Sequence, residues 1–192
     1  MKKPPTIGIL ALQGDYDAHR ARLIELGAKT ALVRTAADLA KVDALVMPGG
    51  ESSTMLKFLE RDGFFDHVKK FARQHPVFGT CAGAILLAED VVGPAQKSLG
   101  ALPIRIRRNA YGRQIESSIH SAKSTLGKEP LEMVFIRAPK IEKLGKGVEV
   151  LAEYDGSPVL VRKGKTLAAT FHPELSEDKR VHQYFLDIMQ TK

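Results

Sequence analysis

Four short, nearly unbroken apolar runs in the first half of the chain, at Thr6 to Leu12, Ala31 to Val33, Val42 to Met47 and Val77 to Phe78, constrain its fold more than any other feature. A strand covered on both faces reads as a continuous apolar run, not as an alternation, so these runs predict a sheet that is largely parallel. Between them the spacing turns helical. Asp15 can cap a helix that carries Leu23, Ile24 and Leu26 and stops at Gly27; Ala36 to Leu39 makes one helical turn; Thr54 to Glu60 and Phe64 to Arg73 follow as helices. Strand and helix alternating at this interval predict an α/β fold, a three-layer doubly wound sheet. Ligands bind such sheets beyond the carboxyl ends of the strands.

From Leu99 the texture changes. Short β-like runs at Leu102 to Ile106, Gln114 to Ile119, Met133 to Arg137, Val148 to Tyr154, Val159 to Arg162 and Thr166 to Phe171 are separated by turn residues such as Asn109, Gly127, Gly145, Asp155-Gly156 and Lys163-Gly164. This half is expected to extend the sheet with mostly antiparallel strands. Lys179 to Thr191 closes it as an amphipathic helix with Val181, Tyr184, Phe185 and Ile188 on one face. A length of 192 residues suits one domain spanning 1–192, and 44% apolar with 27% charged residues is ordinary globular composition. The apolar run after Met1-Lys2-Lys3-Pro4-Pro5 is broken too soon by Gln13-Gly14-Asp15 for a signal peptide or membrane span, so a cytoplasmic location with no membrane partner is expected.

A net charge of +7 raises the question of nucleic acid. The charges are interspersed with acids, and only Arg105, Arg107, Arg108 and Arg113 cluster, around Tyr111. Neighbours along a strand do not all face one way, so a solvated basic surface is expected, with no nucleic-acid partner.

The chemistry-bearing stretch is Pro76-Val77-Phe78-Gly79-Thr80-Cys81-Ala82-Gly83-Ala84-Ile85, which holds the one cysteine of the chain. Strand, glycine-bracketed turn and apolar helix place Cys81 at the apex of a strand-to-helix elbow, the G-x-S-x-G geometry with sulfur for oxygen. Gly79 and Gly83 permit close backbone approach, the positive end of the helix favours a thiolate, and amides after the turn can cradle an oxyanion. A lone cysteine is also a common buried hydrophobe. What favours catalysis is Ala168-Ala169-Thr170-Phe171-His172-Pro173-Glu174, where a strand leads to a histidine with a carboxylate two residues on. Cys81, His172 and Glu174 then make a triad in which the imidazole takes the thiol proton and the carboxylate fixes its tautomer.

Pro48-Gly49-Gly50-Glu51-Ser52, Gly79-Thr80-Cys81-Ala82-Gly83 and His172-Pro173-Glu174, in this order, resemble class I glutamine amidotransferases, whose fold is flavodoxin-like. Leu10-Ala11-Leu12-Gln13-Gly14, Arg108-Asn109-Ala110-Tyr111-Gly112-Arg113-Gln114, Phe135-Ile136-Arg137-Ala138-Pro139 and Phe171-His172-Pro173-Glu174-Leu175 narrow the match. They look like the glutaminase subunit of pyridoxal 5′-phosphate synthase, the PdxT family. Glu51-Ser52-Ser53-Thr54 departs mildly from the usual Glu-Ser-Thr-Thr. The resemblance implies Cys81 as nucleophile and His172 with Glu174 as its partners. It also implies an oxyanion hole from the amides of Gly50 and Ala82, and L-glutamine binding by Gly49, Gly50, Glu51, Arg108, Ile136 and Arg137. Gln13 ends the first strand beside these loops and is expected to touch or transmit the effect of a partner. That partner is implied to be the PdxS synthase, in a hetero-oligomeric complex, since the chain has no phosphate-cradling G-x-x-x-x-G-K-[ST] loop. No cofactor and no metal are implied.

Alternatives stay open at this stage. Arg137 can pair locally, and Glu51 can cap the following helix. A peptidase-like cysteine hydrolase and a non-catalytic scaffold protein are rivals for the whole chain. His19, His67, His75 and His182 fall in helical or helix-end segments among polar neighbours and are read as surface residues.

Overall fold

The computed structural model describes residues 4–110 and 117–190. The Tyr111–Gln114 part of the PdxT-like motif, Arg113 of the basic cluster, residues 114–116 of one expected strand and Thr191 of the last helix lie outside them. The first half runs β1 (Thr6–Leu10), α1 (Tyr16–Glu25), β2 (Lys29–Val33), α2 (Ala36–Leu39), β3 (Ala44–Met47), α3 (Ser52–Glu60), α4 (Phe64–Gln74), β4 (Val77–Thr80) and α5 (Ala82–Leu87). The second runs β5 (Ala88–Val92), β6 (Leu102–Arg107), β7 (Ser118–Ala122), β8 (Leu131–Phe135), β9 (Lys140–Leu144), β10 (Glu149–Tyr154), β11 (Ser157–Lys163), β12 (Thr166–Ala169) and α6 (Arg180–Gln190).

Seven strands form the central sheet in the order β10-β11-β12-β4-β3-β1-β2. β2, β1, β3, β4 and β12 are mutually parallel, while β10, β11 and β12 pair antiparallel. Both faces of the parallel part are covered. In β1, Ile7 and Ile9 face a core shared with Leu23 of α1 and Phe185 of α6, while Leu10 joins a second core with Met55, Leu59, Val68 and Leu86. β3 divides likewise, Ala44 and Val46 to one side and Leu45 and Met47 to the other. That two-sided burial is why the runs carry no alternation, and each such side chain contributes about 1.5–3 kcal/mol. The layers are therefore α1 and α6, the sheet, then α2 to α5.

Two expectations need correction. The second half extends the main sheet only through β10, β11 and β12; β5, β6 and β9 form a separate three-stranded sheet, and β7 pairs with β8 alone. β9 was not expected, because Lys140-Ile141-Glu142-Lys143 reads as a charged loop and only Ile141 of β9 is buried. Asp15 does occupy the N-cap of α1, but its side chain makes no capping bond. The basic cluster is neutralised locally: Arg105 pairs with Asp90 at 2.6 Å, Arg107 with Glu142 and Arg108 with Glu51 at 3.3 Å. No helix among the described residues is long and apolar enough to cross a membrane.

The topology fixes where chemistry can occur. β1, β3, β4 and β12 point the same way, so the segments that leave them at Gln13, Pro48, Cys81 and His172 meet along one edge of the sheet.

Candidate active site

Cys81 sits between β4 and α5 with φ 45° and ψ −102°, a conformation that an L-residue adopts only where its surroundings enforce it. They do so by contact. A Cβ on Gly79 would lie 2.6 Å from the carbonyl carbon of Gly83, and one on Gly83 would lie 2.1 Å from the carbonyl oxygen of Met47. Only glycine fits on either side of the turn. The amide of Cys81 donates to Ala169 O at 2.9 Å and that of Gly83 to Pro48 O at 3.2 Å, so the elbow is tied to β12 and to the loop after β3. Ala82 is the first residue of α5, its amide next after Cys81.

Three residues past β12, His172 is held by its amide donating to Val134 O at 2.8 Å, and Glu174 follows on a single 3-10 turn. Nδ1 of His172 and Oε1 of Glu174 are 2.7 Å apart, with both side chains buried. This leaves Nε2 as the nitrogen facing the thiol; it is buried and has no well-aligned hydrogen bond. Cys81 Sγ is its electrostatic neighbour and lies 4.0 Å from the carbonyl of Ile136. Burial disfavours the imidazolium, but the interactions with Cys81 and Glu174 outweigh it and raise His172 to about 10. Glu174 moves the other way: burial opposes its charge, and His19 with His172 overcomes that and lowers it.

The loop after β3 closes the site from the side. A Cβ on Gly49 would come within 2.4 Å of His172 Cε1 and 3.5 Å of Cys81 Cβ, so this glycine lies against both. Gly50 has φ +146°, open to glycine. The Gln13 side chain lies where a Gly50 Cβ would be, and its Oε1 accepts the Glu51 amide at 2.9 Å. Gly14 also abuts the loop, against the carbonyl of Gly49. Glu51 caps α3, accepting from the amides of Ser53 and Thr54 at 3.1 and 2.6 Å, and binds Arg108. Burial works against that carboxylate's charge, but the Ser53 and Thr54 bonds lower it to about 2. Arg108 thus reaches the loop through Glu51. Ile136 is brought to the thiol, whereas Arg137 is exposed, has φ 46° and makes no ion pair among the described residues.

Two histidines were misread from the sequence. His19 and His182 are fully buried, Nδ1 of His19 lying 2.9 Å from Nε2 of His182. Nε2 of His19 is 3.0 Å from Thr80 Oγ1 and 3.3 Å from Glu174 Oε2. A signal was present: His19 lies four residues before Leu23 and His182 three before Phe185, each at the spacing of a core face. His67 is exposed as expected, and half-buried His75 stacks on Phe71 at 4.2 Å. Among the described residues one cluster could gather ligand atoms for an ion, Asp15, His172 and Glu174, within 4.8 Å of one another; two of its members are already bonded together.

This sheet, with its elbow and its late strand end, is the fold of class I glutamine amidotransferases. A structure of PurLQS from Thermotoga maritima superposes with a TM-score of 0.72 at 16% identity, covering 97% of this chain and 99% of that one. A crystal structure of a glutamine amidotransferase superposes with a TM-score of 0.89 at 47% identity, covering 96% of this chain and 99% of that one. The profile of the SNO glutamine amidotransferase family matches residues 9–191, and the chain belongs to that family. Pyridoxal 5′-phosphate synthase subunit PdxT of Koribacter versatilis is 59% identical over 185 residues, 96% of either chain. The protein of the same description from Solibacter usitatus is 50% identical over 192 residues, 97% of this chain and 98% of that one.

Proposed function

We propose that the chain acts as one amidotransferase domain that hydrolyses L-glutamine to L-glutamate and ammonia. It delivers the ammonia to a PdxS-type synthase for pyridoxal 5′-phosphate formation in the cytoplasm. The observation that carries this reading is the enforced φ of Cys81 beside a buried His172–Glu174 pair at 2.7 Å, on one sheet edge. His172 Nε2 takes the thiol proton and the thiolate attacks the side-chain amide carbon, giving a tetrahedral oxyanion. As this collapses the C–N bond breaks, the proton passes from His172 to the leaving nitrogen, and ammonia departs from a γ-glutamyl thioester. Water then gives a proton to His172 and attacks the thioester; the second oxyanion collapses to glutamate and the thiol regains its proton.

The amide of Ala82 is one donor to the oxyanion and that of Gly50 the second. An ordinary side chain at position 50 would be strained at φ +146°, and glycine there lets the peptide turn its donor in or out. Exposed Arg137 receives the α-carboxylate of glutamine, and the Gly49-Gly50-Glu51 loop, positioned by Arg108 and Gln13, borders the substrate with Ile136. Gln13 supports a role in activation because it already binds this loop, so a partner touching the start of α1 moves the oxyanion donor through it.

The test is glutamate release from glutamine with and without the synthase. Activity that needs the synthase and is lost in Cys81→Ala supports the reading. A Cys81→Ala chain as active as wild type overturns it.

A further inference from the structure

The histidine pair behind Glu174 takes no part in that chemistry, yet it is buried at a cost. Burial drives His19 below its ordinary range against the pull of Glu174, with His172 lowering it further and Asp15 raising it. Burial likewise takes His182 to about 3, helped by His19, opposed by Glu174 and lowered again by Arg22. Both rings are therefore neutral, and one proton lies between them.

Two proton arrangements satisfy that bond. In one, His182 Nε2–H donates to His19 Nδ1, and His19 Nε2–H faces Glu174 Oε2 and Thr80 Oγ1. His182 Nδ1, which has no partner, then carries only a lone pair. In the other, His19 donates to His182. Its own lone pair then faces the carboxylate, and an Nδ1–H of His182 is buried with no acceptor. An orphaned buried N–H is rarer and costlier than an unused lone pair, and a lone pair against a carboxylate is repulsive, so the partners select the first arrangement.

We propose that His19 is a positioning residue for the glutaminase reaction, its Nε2–H, set between Thr80 Oγ1 and Oε2 of Glu174, steadying the carboxylate so that Oε1 stays aimed at Nδ1 of His172. The torsion that turns a glutamate carboxylate is soft, so one bond to His172 does not by itself fix the group. His19 Nε2, hydrogen-bonded to Thr80 Oγ1 at 3.0 Å, lies 3.3 Å from Oε2, a buried oxygen with no aligned hydrogen bond of its own, and so brings a second polar contact to the carboxylate from the residue before Cys81. Its neutrality is essential: a cation there would draw the charge of Glu174 away from the imidazolium of His172. His182 serves by giving Nδ1 of His19 a donor, which keeps the remaining proton on Nε2. This role rests on the Cys81, His172 and Glu174 chemistry proposed above.

Asparagine and glutamine separate the two ring nitrogens. In His19→Gln the amide reaches the Nε2 position and still donates to Glu174, whereas in His19→Asn it reaches only the Nδ1 position beside His182. Both variants are assayed for glutamate release in complex with the synthase, and the rate of Cys81 alkylation by iodoacetamide is followed against pH. His19→Asn is expected to lose about 10–100-fold in kcat with little change in KM, the size of loss seen when a partner that orients a metal-ligating histidine is removed. Its alkaline limb of Cys81 alkylation should shift to lower pH, since a loosely held Glu174 supports the imidazolium less. His19→Gln should retain most of kcat and the wild-type limb. Wild-type kcat and alkylation profiles in both variants, or equal losses in both, including failure of both to fold, would assign His19 a packing role and overturn the proposal. If the wild-type complex itself releases no glutamate, the glutaminase reading fails, and the alkylation profiles still decide whether His19 acts on the His172–Glu174 pair.

Discussion

Replacing Gly49 with alanine inserts one methyl group against His172 and Cys81, the two side chains proposed to react, without replacing either. The structure sets the size of the disturbance. The new Cβ would lie 2.4 Å from Cε1 and 2.9 Å from Nδ1 of His172, while ordinary contact begins near 3.4 Å, so the imidazole must retreat by about 1.0 Å, the difference of 3.4 and 2.4. It cannot do so freely. Its Nδ1 is bonded to buried Glu174 at 2.7 Å, so retreat stretches that bond and carries Nε2 away from the thiol. A misplacement of about 1 Å in a reacting group costs on the order of 10²-fold in rate, roughly 2.7 kcal/mol of barrier. The fold should survive, because overpacking by one methyl costs about 1–3 kcal/mol and Gly49 needs no positive φ. The assay is steady-state glutamate release by the synthase complex, with thermal unfolding as control. We expect kcat to fall about 10²-fold while the unfolding transition remains cooperative. Wild-type kcat in a folded Gly49→Ala chain would refute the claim that this loop sets the Cys81–His172 geometry.

A glutamine-derived electrophile should place one label on the chain, at Cys81, and peptide mass spectrometry reads this directly. His172→Ala should abolish turnover, whereas Glu174→Gln should leave a measurable remainder, general acid–base catalysis being worth about 10²–10⁴-fold; wild-type rates in both would remove the assignment. His172 is raised in the folded chain from 6.5 to about 10, so its contribution to stability is full below pH 6.5 and is lost as pH rises through about 10. Wild type should therefore lose more thermal stability between pH 7 and 10 than His172→Gln, and parallel melting curves would contradict the raised value. Finally, if the synthase favours the glutamine-competent loop, glutamine must tighten the complex of Cys81→Ala with the synthase by the same factor, which titration calorimetry with and without glutamine measures.

The parallel half of the sheet was legible because two-sided burial leaves a plain mark: Val42 to Met47 has no polar residue facing solvent except Asp43, just before β3 begins. The elbow was legible for a similar reason, Gly79 and Gly83 being required by contacts under 3 Å. The second half was harder. Whether a short strand joins the main sheet depends on partners far away in sequence, and nothing in Leu102 to Arg107 tells that it pairs with Ala88 to Val92 and not with β12. His19 and His182 were hidden by the habit of placing helical histidines at the surface; their value lies in facing each other across the gap between α1 and α6, a relation no local window contains. Glu51 combined both readings, capping α3 and binding Arg108 at once.

Parallel pairing of β12 with β4 has a consequence in time as well as in space. Cys81 and its amide acceptor Ala169 are 88 positions apart, and the partners of the thiol come only after β12 has docked. Contacts of such long range form late and carry a large loop-closure cost. A ribosome that has made the elbow has therefore not made the proposed site: a nascent chain stopped before Thr166 carries the thiol without the histidine proposed as its base. Reactivity of Cys81 towards a glutamine-like electrophile should rise in a single step when the last strand closes, not with the first half of the sheet. The same delay keeps the lone thiol from being activated in a half-made chain, where it could hydrolyse glutamine with no acceptor beside it.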